Sequence, residues 1–304
     1  MSTQGTIKRY IRIIDKISHS HFPSLQTMLS FLKDEGFTIS ERTLQRNIEA
    51  IRDEFGLEIK YHPTHRGYYI DKDSNEQLES FLKFLEIAGM AEVIGDSLKE
   101  DRKTLNYLSF ENNAAVKGIA HISTLLRAIK NSSVVSFDKE NYKTEKISKY
   151  NVHPYLLKEY QNRWYLVAFV PDLKALRIFG IDRIEGLTAL KEKFKKDPSL
   201  KTNERFDNVI GVNYKDGKTE QVEISLSPLQ AKYIKSLPLH SSQQLLRDDE
   251  KGSIISLKLI PNYELMQRIL MLGSKAKVLK PQWLADEILV ILKESVKNYE
   301  VKGK

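Results

Sequence analysis

The chain has 304 residues, 41% hydrophobic and 29% charged, with a net charge of +8 and no cysteine. That length supports two or three domains with real cores, and the missing cysteines exclude disulfides, thiolate nucleophiles and Cys-ligated zinc. The first ten residues hold no apolar signal core and no apolar run approaches a membrane span, so the expected location is cytoplasmic with no membrane partner.

Ile7, Ile11, Ile14 and Ile17 recur at helical spacing and predict a first amphipathic helix. Pro23-Ser24 opens a second helix with Leu25, Met28, Leu29 and Leu32 on its apolar face, closed by Gly36. Ser40 caps a third, in which Leu44, Ile48, Ile51 and Phe55 face inward and Arg42, Gln45, Arg46, Glu49 and Arg52 face outward. Leu57-x-Ile59-x-Tyr61 and Tyr68-Tyr69-Ile70 then alternate as two strands around a polar turn.

Three helices and a hairpin follow the order of a winged helix-turn-helix, expected over residues 1–72. In that fold the third helix would enter the major groove of duplex DNA. Ser40, Arg42, Thr43, Gln45 and Arg46 have suitable chemistry: arginine pairs with guanine, glutamine with adenine, and hydroxyls with phosphate. His65 and Arg66 at the hairpin tip could touch the minor groove or the backbone. A solvated helix face explains the same residue types. Residues 73–130 read as a helical linker, with Leu78, Phe81, Leu82 and Leu85 in one helix and Ile119, Ile122, Leu125, Leu126 and Ile129 in another.

Residues 131–205 are the most basic part, with 15 basic and 10 acidic side chains. Short strands are predicted over Val134–Phe137, Ile147–His153, Tyr155–Tyr160, Arg163–Val170 and Leu176–Ile184, which suggests a small barrel. Trp164 to Val170 is uninterrupted apolar and aromatic text, the mark of a buried strand. Alternation places Arg177, Phe179, Ile181 and Arg183 on one face, where two arginines could hold an anion or form ordinary salt bridges. Six residues of extended strand span about 20 Å, so one phosphate meets both arginines only if the strand bends, which Gly180 permits. Lys191 to Lys201 reads as a hinge. From residue 206 the order is strand, helix, strand, strand, helix, strand and helix, whose first six elements are a ferredoxin-like split unit.

Several of these stretches resemble the bacterial WYL-domain transcriptional regulators. Trp164-Tyr165-Leu166, Arg177-x-Phe179 and Asp182-Arg183-Ile184 are similar to the family's signature, and His153-Pro154-Tyr155-Leu156-Leu157 to the strand that precedes it. Ser40-x-Arg42-Thr43-x-x-Arg46 and Gly67-Tyr68-Tyr69 resemble the family's DNA-binding heads, and Pro281-x-Trp283-Leu284 its C-terminal WCX-type extension. The resemblance implies an α+β multidomain protein. Its parts are a winged helix-turn-helix (1–72), a helical linker (73–130), an SH3- or Sm-like WYL barrel (131–205) and a ferredoxin-like extension (206–304).

It also implies a homodimer that binds operator DNA through Ser40, Arg42, Thr43, Gln45, Arg46 and Arg66. His153, Tyr165, Arg177, Phe179 and Arg183 would take an anionic effector, a nucleotide or single-stranded nucleic acid. Gly180 departs from the pattern, since many members carry a further arginine there. Phosphate loops, GxSxG, HExxH and GxGxxG texts are absent, and His19-x-His21 lacks a third ligand nearby. No catalytic residue, metal or cofactor is therefore assigned. An accessory protein that binds single strands without a promoter, or a nuclease with a regulatory head, is the competing expectation.

Overall fold

Ser24 and Ser40 start two helices by the same device. Each hydroxyl accepts a hydrogen bond from the backbone N–H three residues on, at 3.1 Å from Thr27 and 3.2 Å from Thr43. The computed structural model describes residues 3–71, 78–109, 118–141, 145–202, 204–214 and 217–300. It divides into two units, residues 1–111 and 112–304. The expected boundary at residues 72 and 73 lies outside the described residues. Among those described, no helix is long and apolar enough to cross a membrane.

In the first unit, α1 (Thr3–His19), α2 (Leu25–Asp34) and α3 (Glu41–Phe55) surround one core, and β1 (Ile59–His62) pairs antiparallel with β2 (Gly67–Ile70). Tyr10, Ile13, Ile14 and Ile17 of α1 meet Met28 and Leu32 of α2 and Leu44, Ile48 and Ile51 of α3. At roughly 1.5–3 kcal/mol for each such side chain buried, this layer holds the three helices together. Gly56 ends α3 with a left-handed φ of +66°, a conformation that glycine adopts without strain. Arg52, expected on the outward face of α3, instead donates from Nε to the Ile59 carbonyl at 2.7 Å. It ties the helix to the hairpin.

The hairpin also docks on the connection between α1 and α2. Tyr68 N–H donates to Pro23 O at 3.0 Å, and a Cβ at Gly67 would lie 2.0 Å from Phe22 O. Helix α4 (Leu78–Glu100) packs on this unit through Leu85, Phe81 and Leu82, and Lys8 pairs with Asp96 at 2.6 Å. The segment expected as one linker thus has its first helix in this unit and its last, α5 (Ile119–Lys130), in the second.

In the second unit, five strands follow α5: β3 (Ser133–Asn141), β4 (Lys146–Tyr160), β5 (Arg163–Val170), β6 (Ala175–Gly180) and β7 (Ile184–Lys193). They form an antiparallel sheet in the order β6-β5-β4-β3-β7. The two strands expected on either side of Pro154 are one strand. Its first half pairs with β3 and its second with β5, and the register shifts between Pro154 and Leu156. Proline has no N–H for the ladder, so it sits where the pairing is already interrupted. The strand expected over Leu176–Ile184 is the reverse case. It ends at Gly180, a 3₁₀ turn covers Ile181–Arg183, and β7 begins at Ile184.

All five strands and α5 contribute to one core, which includes Val135, Phe137, Val152, Leu166, Phe179 and Leu125. The expected hinge is anchored instead. Lys191–Lys193 belong to β7, Phe194 is buried and donates its N–H to Ser132 O at 2.9 Å, and Asp197 N–H donates to the Tyr155 hydroxyl at 3.0 Å.

Further along the chain lie β8 (Glu220–Leu226), α6 (Pro228–Ser236), β9 (Gln244–Asp249), β10 (Gly252–Leu259), α7 (Tyr263–Met271), β11 (Ala276–Lys280) and α8 (Gln282–Tyr299). Their antiparallel sheet has the order β11-β8-β10-β9, and Val222, Ile224, Ile255 and Leu257 bury one face against α6, α7 and α8. Gly67→Ala should destabilise the protein by roughly 1–3 kcal/mol, because the added methyl meets backbone that cannot yield easily. Thermal unfolding checks this, with Gly95→Ala inside helix α4, where nothing lies within 4 Å and the change should stabilise by about 0.5–1 kcal/mol, as the comparison.

Candidate functional site

In the first unit the buried stripe of α3 leaves its other face to solvent. Arg42, Gln45 and Arg46 are exposed there and make no hydrogen bond or ion pair among the described residues. Thr43 is half-buried and shares a 3.0 Å hydroxyl contact with Ser40. Arg66 stands exposed in the hairpin turn with φ +49°. Glu41, which would oppose an anion, is occupied by Gln26 Nε2 at 2.7 Å. The tip is also aromatic. His65 stacks on Phe22 at 4.4 Å, with His62 and Tyr69 against the same ring at 4.9 Å and 5.5 Å.

In the second unit the expected effector residues divide between two faces of the β5–β6 ladder. Phe179 pairs with Leu166 and lies in the core under the five-stranded sheet at 2% exposure, where Phe137 and Tyr150 pack on it edge-on at 5.1 Å and 5.2 Å. Tyr165 is on the opposite face with Val167 and Phe169, beside Lys158 of β4. His153 shares that outer face and stacks on Phe194 at 4.5 Å and 7°. Burial lowers its pKa against the opposing pull of Glu192, which favours the neutral ring. Arg177 is exposed, and its Nη1 donates to the adjacent Leu176 carbonyl at 3.2 Å. The five do not share one pocket, because alternation puts His153 and Tyr165 on the face opposite Phe179 and the break after Gly180 takes Arg183 off the strand.

Phe179 and Arg183 do come together, with a partner that sequence reasoning missed. Lys139 of β3 holds its ammonium 5.3 Å from the centre of the Phe179 ring. Its pKa is lowered, first by burial and then by the charge of Arg183. Among the described residues Lys139 has no hydrogen bond or ion pair. Two cations thus converge beside an aromatic floor of Phe179, Phe137 and Tyr150. The sequence carried a signal for Lys139: it continues the inward stripe of Val135 and Phe137 at period two.

Gly180 is crowded by its own neighbours. Its φ of −63° and ψ of 122° suit any residue, but a Cβ would lie 2.6 Å from Asp182 Oδ1 and 3.2 Å from Arg183 Nε. A side chain here, arginine included, would displace those groups. Asp182 itself reaches Arg163 at 4.0 Å, a partly solvated pair of small energetic weight. On the outer face a second cation sits over an aromatic ring. Lys158 Nζ lies 4.7 Å from the Phe206 centroid, and burial lowers its pKa while Asp207 and Glu159 oppose that. Arrangements of this kind attract anions, since a partly desolvated cation without a counter-ion gains most from acquiring one.

Residues 120–189 match the model of the WYL domain and residues 218–296 match that of the WCX domain. Among solved structures the chain is similar to proteasome accessory factor B/C (PafBC) of Arthrobacter aurescens. The identity is 14% and the TM-score 0.28, over 98% of this chain and 49% of that one, so the chain spans about half the length of that protein. It is also similar to a structure described as a CRISPR Cas-related protein, at 14% identity and a TM-score of 0.41, over 99% of this chain and 86% of that one. Comparison with curated proteins gives no match. The first matched segment begins in α5 and ends in β7, around Lys139, Phe179 and Arg183. The second runs from the approach to β8 into α8. The chain therefore carries a WYL domain built on the five-stranded sheet, followed by a WCX domain built on the four-stranded one.

Proposed function

We propose that this protein is a ligand-responsive, DNA-binding transcriptional regulator. The observation that carries the reading is the exposed, unpartnered Arg42–Gln45–Arg46 face of α3, on a unit that precedes a WYL domain. In this reading α1–α3 and the β1–β2 hairpin are a winged helix-turn-helix, the five-stranded sheet is an SH3-like barrel, and the four-stranded sheet is a ferredoxin-like unit. Helix α3 enters the major groove of duplex DNA, with Ser40, Thr43 and Arg66 on the backbone and Arg42, Gln45 and Arg46 towards base edges. The protein acts as a homodimer, whose two α3 helices read paired half-sites.

The barrel senses an anionic effector, of nucleotide or single-stranded nucleic-acid chemistry, at Lys139 and Arg183 over Phe179. An anion there cancels the repulsion between the two cations. The effector changes DNA binding only if it favours one dimer arrangement over another. No catalytic step is part of this reading.

Arg46→Ala should weaken binding to the cognate duplex by roughly 1–3 kcal/mol while leaving effector affinity unchanged. Titration of labelled duplex at fixed salt measures it. Equal affinity for every duplex, with strong binding of single strands, would select the accessory-protein reading instead.

Lys139→Met separates stability from binding. A lysine whose folded pKa is lowered opposes folding at every pH where it is still charged in the unfolded chain, so the substitution should leave the melting temperature unchanged or raised. The same variant should bind a short single-stranded oligonucleotide about tenfold less tightly. In the wild-type protein that affinity should begin to fall at a pH below the ordinary lysine value of about 10.4. Calorimetry across alkaline pH checks the sign, and unchanged binding in Lys139→Met would remove this residue from the site.

A further inference from the structure

A cleft of about 550 Å³ opens within the second unit between the β4–β5 turn at Tyr160 and Gln161, helix α7, and Ile291 of α8. That volume falls in the range of roughly 300–1,000 Å³ typical of small-molecule sites. Helix α7 is apolar on two faces. Leu265 and Ile269 are buried in the core of the WCX domain. Tyr263, Met266, Leu270 and Met271, at i, i+3, i+7 and i+8, form a second stripe that lines the cleft. A surface helix ordinarily carries polar side chains on the face away from its core. Here Tyr263 is 59% exposed and Met271 74% exposed.

One cation borders this stripe. Arg268 lines the cleft, is half-buried, and has no hydrogen bond or ion pair among the described residues. Glu264, one helical turn earlier, does not neutralise it. The Glu264 carboxylate is turned to Val212 and Asn213, whose backbone N–H groups donate to Oε1 at 3.1 Å and 2.9 Å, and neither residue lines the cleft. The remaining lining side chains are neutral. Arg268 is thus a guanidinium without a counter-ion at the edge of an apolar wall. A carboxylate that reached it would form a charge-assisted, two-pronged pair.

We propose that this cleft binds a small amphipathic monocarboxylate, a fatty-acid-like anion. Its carboxylate takes the Arg268 fork, and its apolar tail lies against Met266, Leu270 and Ile291. One guanidinium in a neutral wall matches a single negative charge, whereas a phosphate monoester carries about 1.5–2 charges at neutral pH. This ligand is therefore a different one from the anion assigned to the barrel. Methionine side chains adjust to tails of different shape, which suits a site selective for the head group and tolerant of the apolar end.

The test is titration of the full-length protein with octanoate, acetate and 1-octanol, followed by calorimetry and by thermal shift. Octanoate should bind at millimolar concentration or below. Acetate, without the tail, and 1-octanol, without the charge, should each bind roughly tenfold or more weaker. Arg268→Met should reduce octanoate affinity about tenfold without weakening 1-octanol, because only the charged head loses its partner. Its ligand-free melting temperature should be unchanged, since Arg268 has no internal partner to lose. Met271→Gln, at a side chain the core does not use, should weaken octanoate several-fold while Arg268 stays in place. Neither heat nor a thermal shift with octanoate at millimolar concentration overturns the proposal. So does equal binding of 1-octanol, or unchanged octanoate affinity in either variant.

Discussion

The second unit depends on strand β5 being buried from both sides. Leu166, Ala168 and Val170 point into the core shared with α5, while Val167 and Phe169 point out to Phe206 and Val209 in the segment that leads towards the WCX domain. At about 25 cal/mol per Å² of apolar surface removed from water, neither face is dispensable. This is why the strand reads as continuous apolar text, where a sheet with one wet face would alternate. The outer contact also fixes where the next domain begins. Once Phe206 and Val209 are seated, Asn262 and Glu264 of the WCX domain hold the following residues through Ile210, Val212 and Asn213.

Around that wall, half-buried charge is concentrated where cations rest on aromatic rings. Lys139 over Phe179 and Lys158 over Phe206 lie on opposite faces of the sheet, and burial lowers the pKa of each. The aromatic face recovers part of the hydration each ammonium loses, but it supplies no counter-ion. The difference between the two lies in their neighbours. Lys158 has Asp207 and Glu159 to favour its charge, whereas Lys139 has Arg183 to oppose it. The charge of Lys139 is therefore the less compensated of the two, which is why the proposed function places the anion there.

The first unit uses charge differently. Its core leaves Arg42, Gln45 and Arg46 solvated, where long cationic side chains keep their rotamer freedom until a partner orders them. Arg52, three positions from Glu49 on the same helix, is instead consumed in fastening the hairpin at Ile59. Outward-facing arginines on one helix thus serve two purposes, and only the carbonyl that Arg52 reaches tells them apart.

Much was legible in the sequence. Period-3.6 apolar text determined the inward faces of α2 and α3, the serine caps determined where those helices start, and the Trp164–Val170 run determined a buried strand. The strand and helix order from residue 219 onward was likewise readable, because its elements are long and separated by Pro, Gly and Asp signals. What tertiary structure alone decided were the places where distant residues compete for the same space. β6 ends at Gly180, where a 3₁₀ turn takes over, and that break moved Arg183 out of line with Arg177. Pro154 was absorbed into one long strand because the ladder changes partner beside it. Lys139 and Arg183, 44 positions apart in sequence, meet only because β3 pairs with β7, which sets Lys139 opposite Ile184. Local spacing determines what a segment can become; which charges meet is set by the pairing of strands distant in sequence, and no local pattern encodes that.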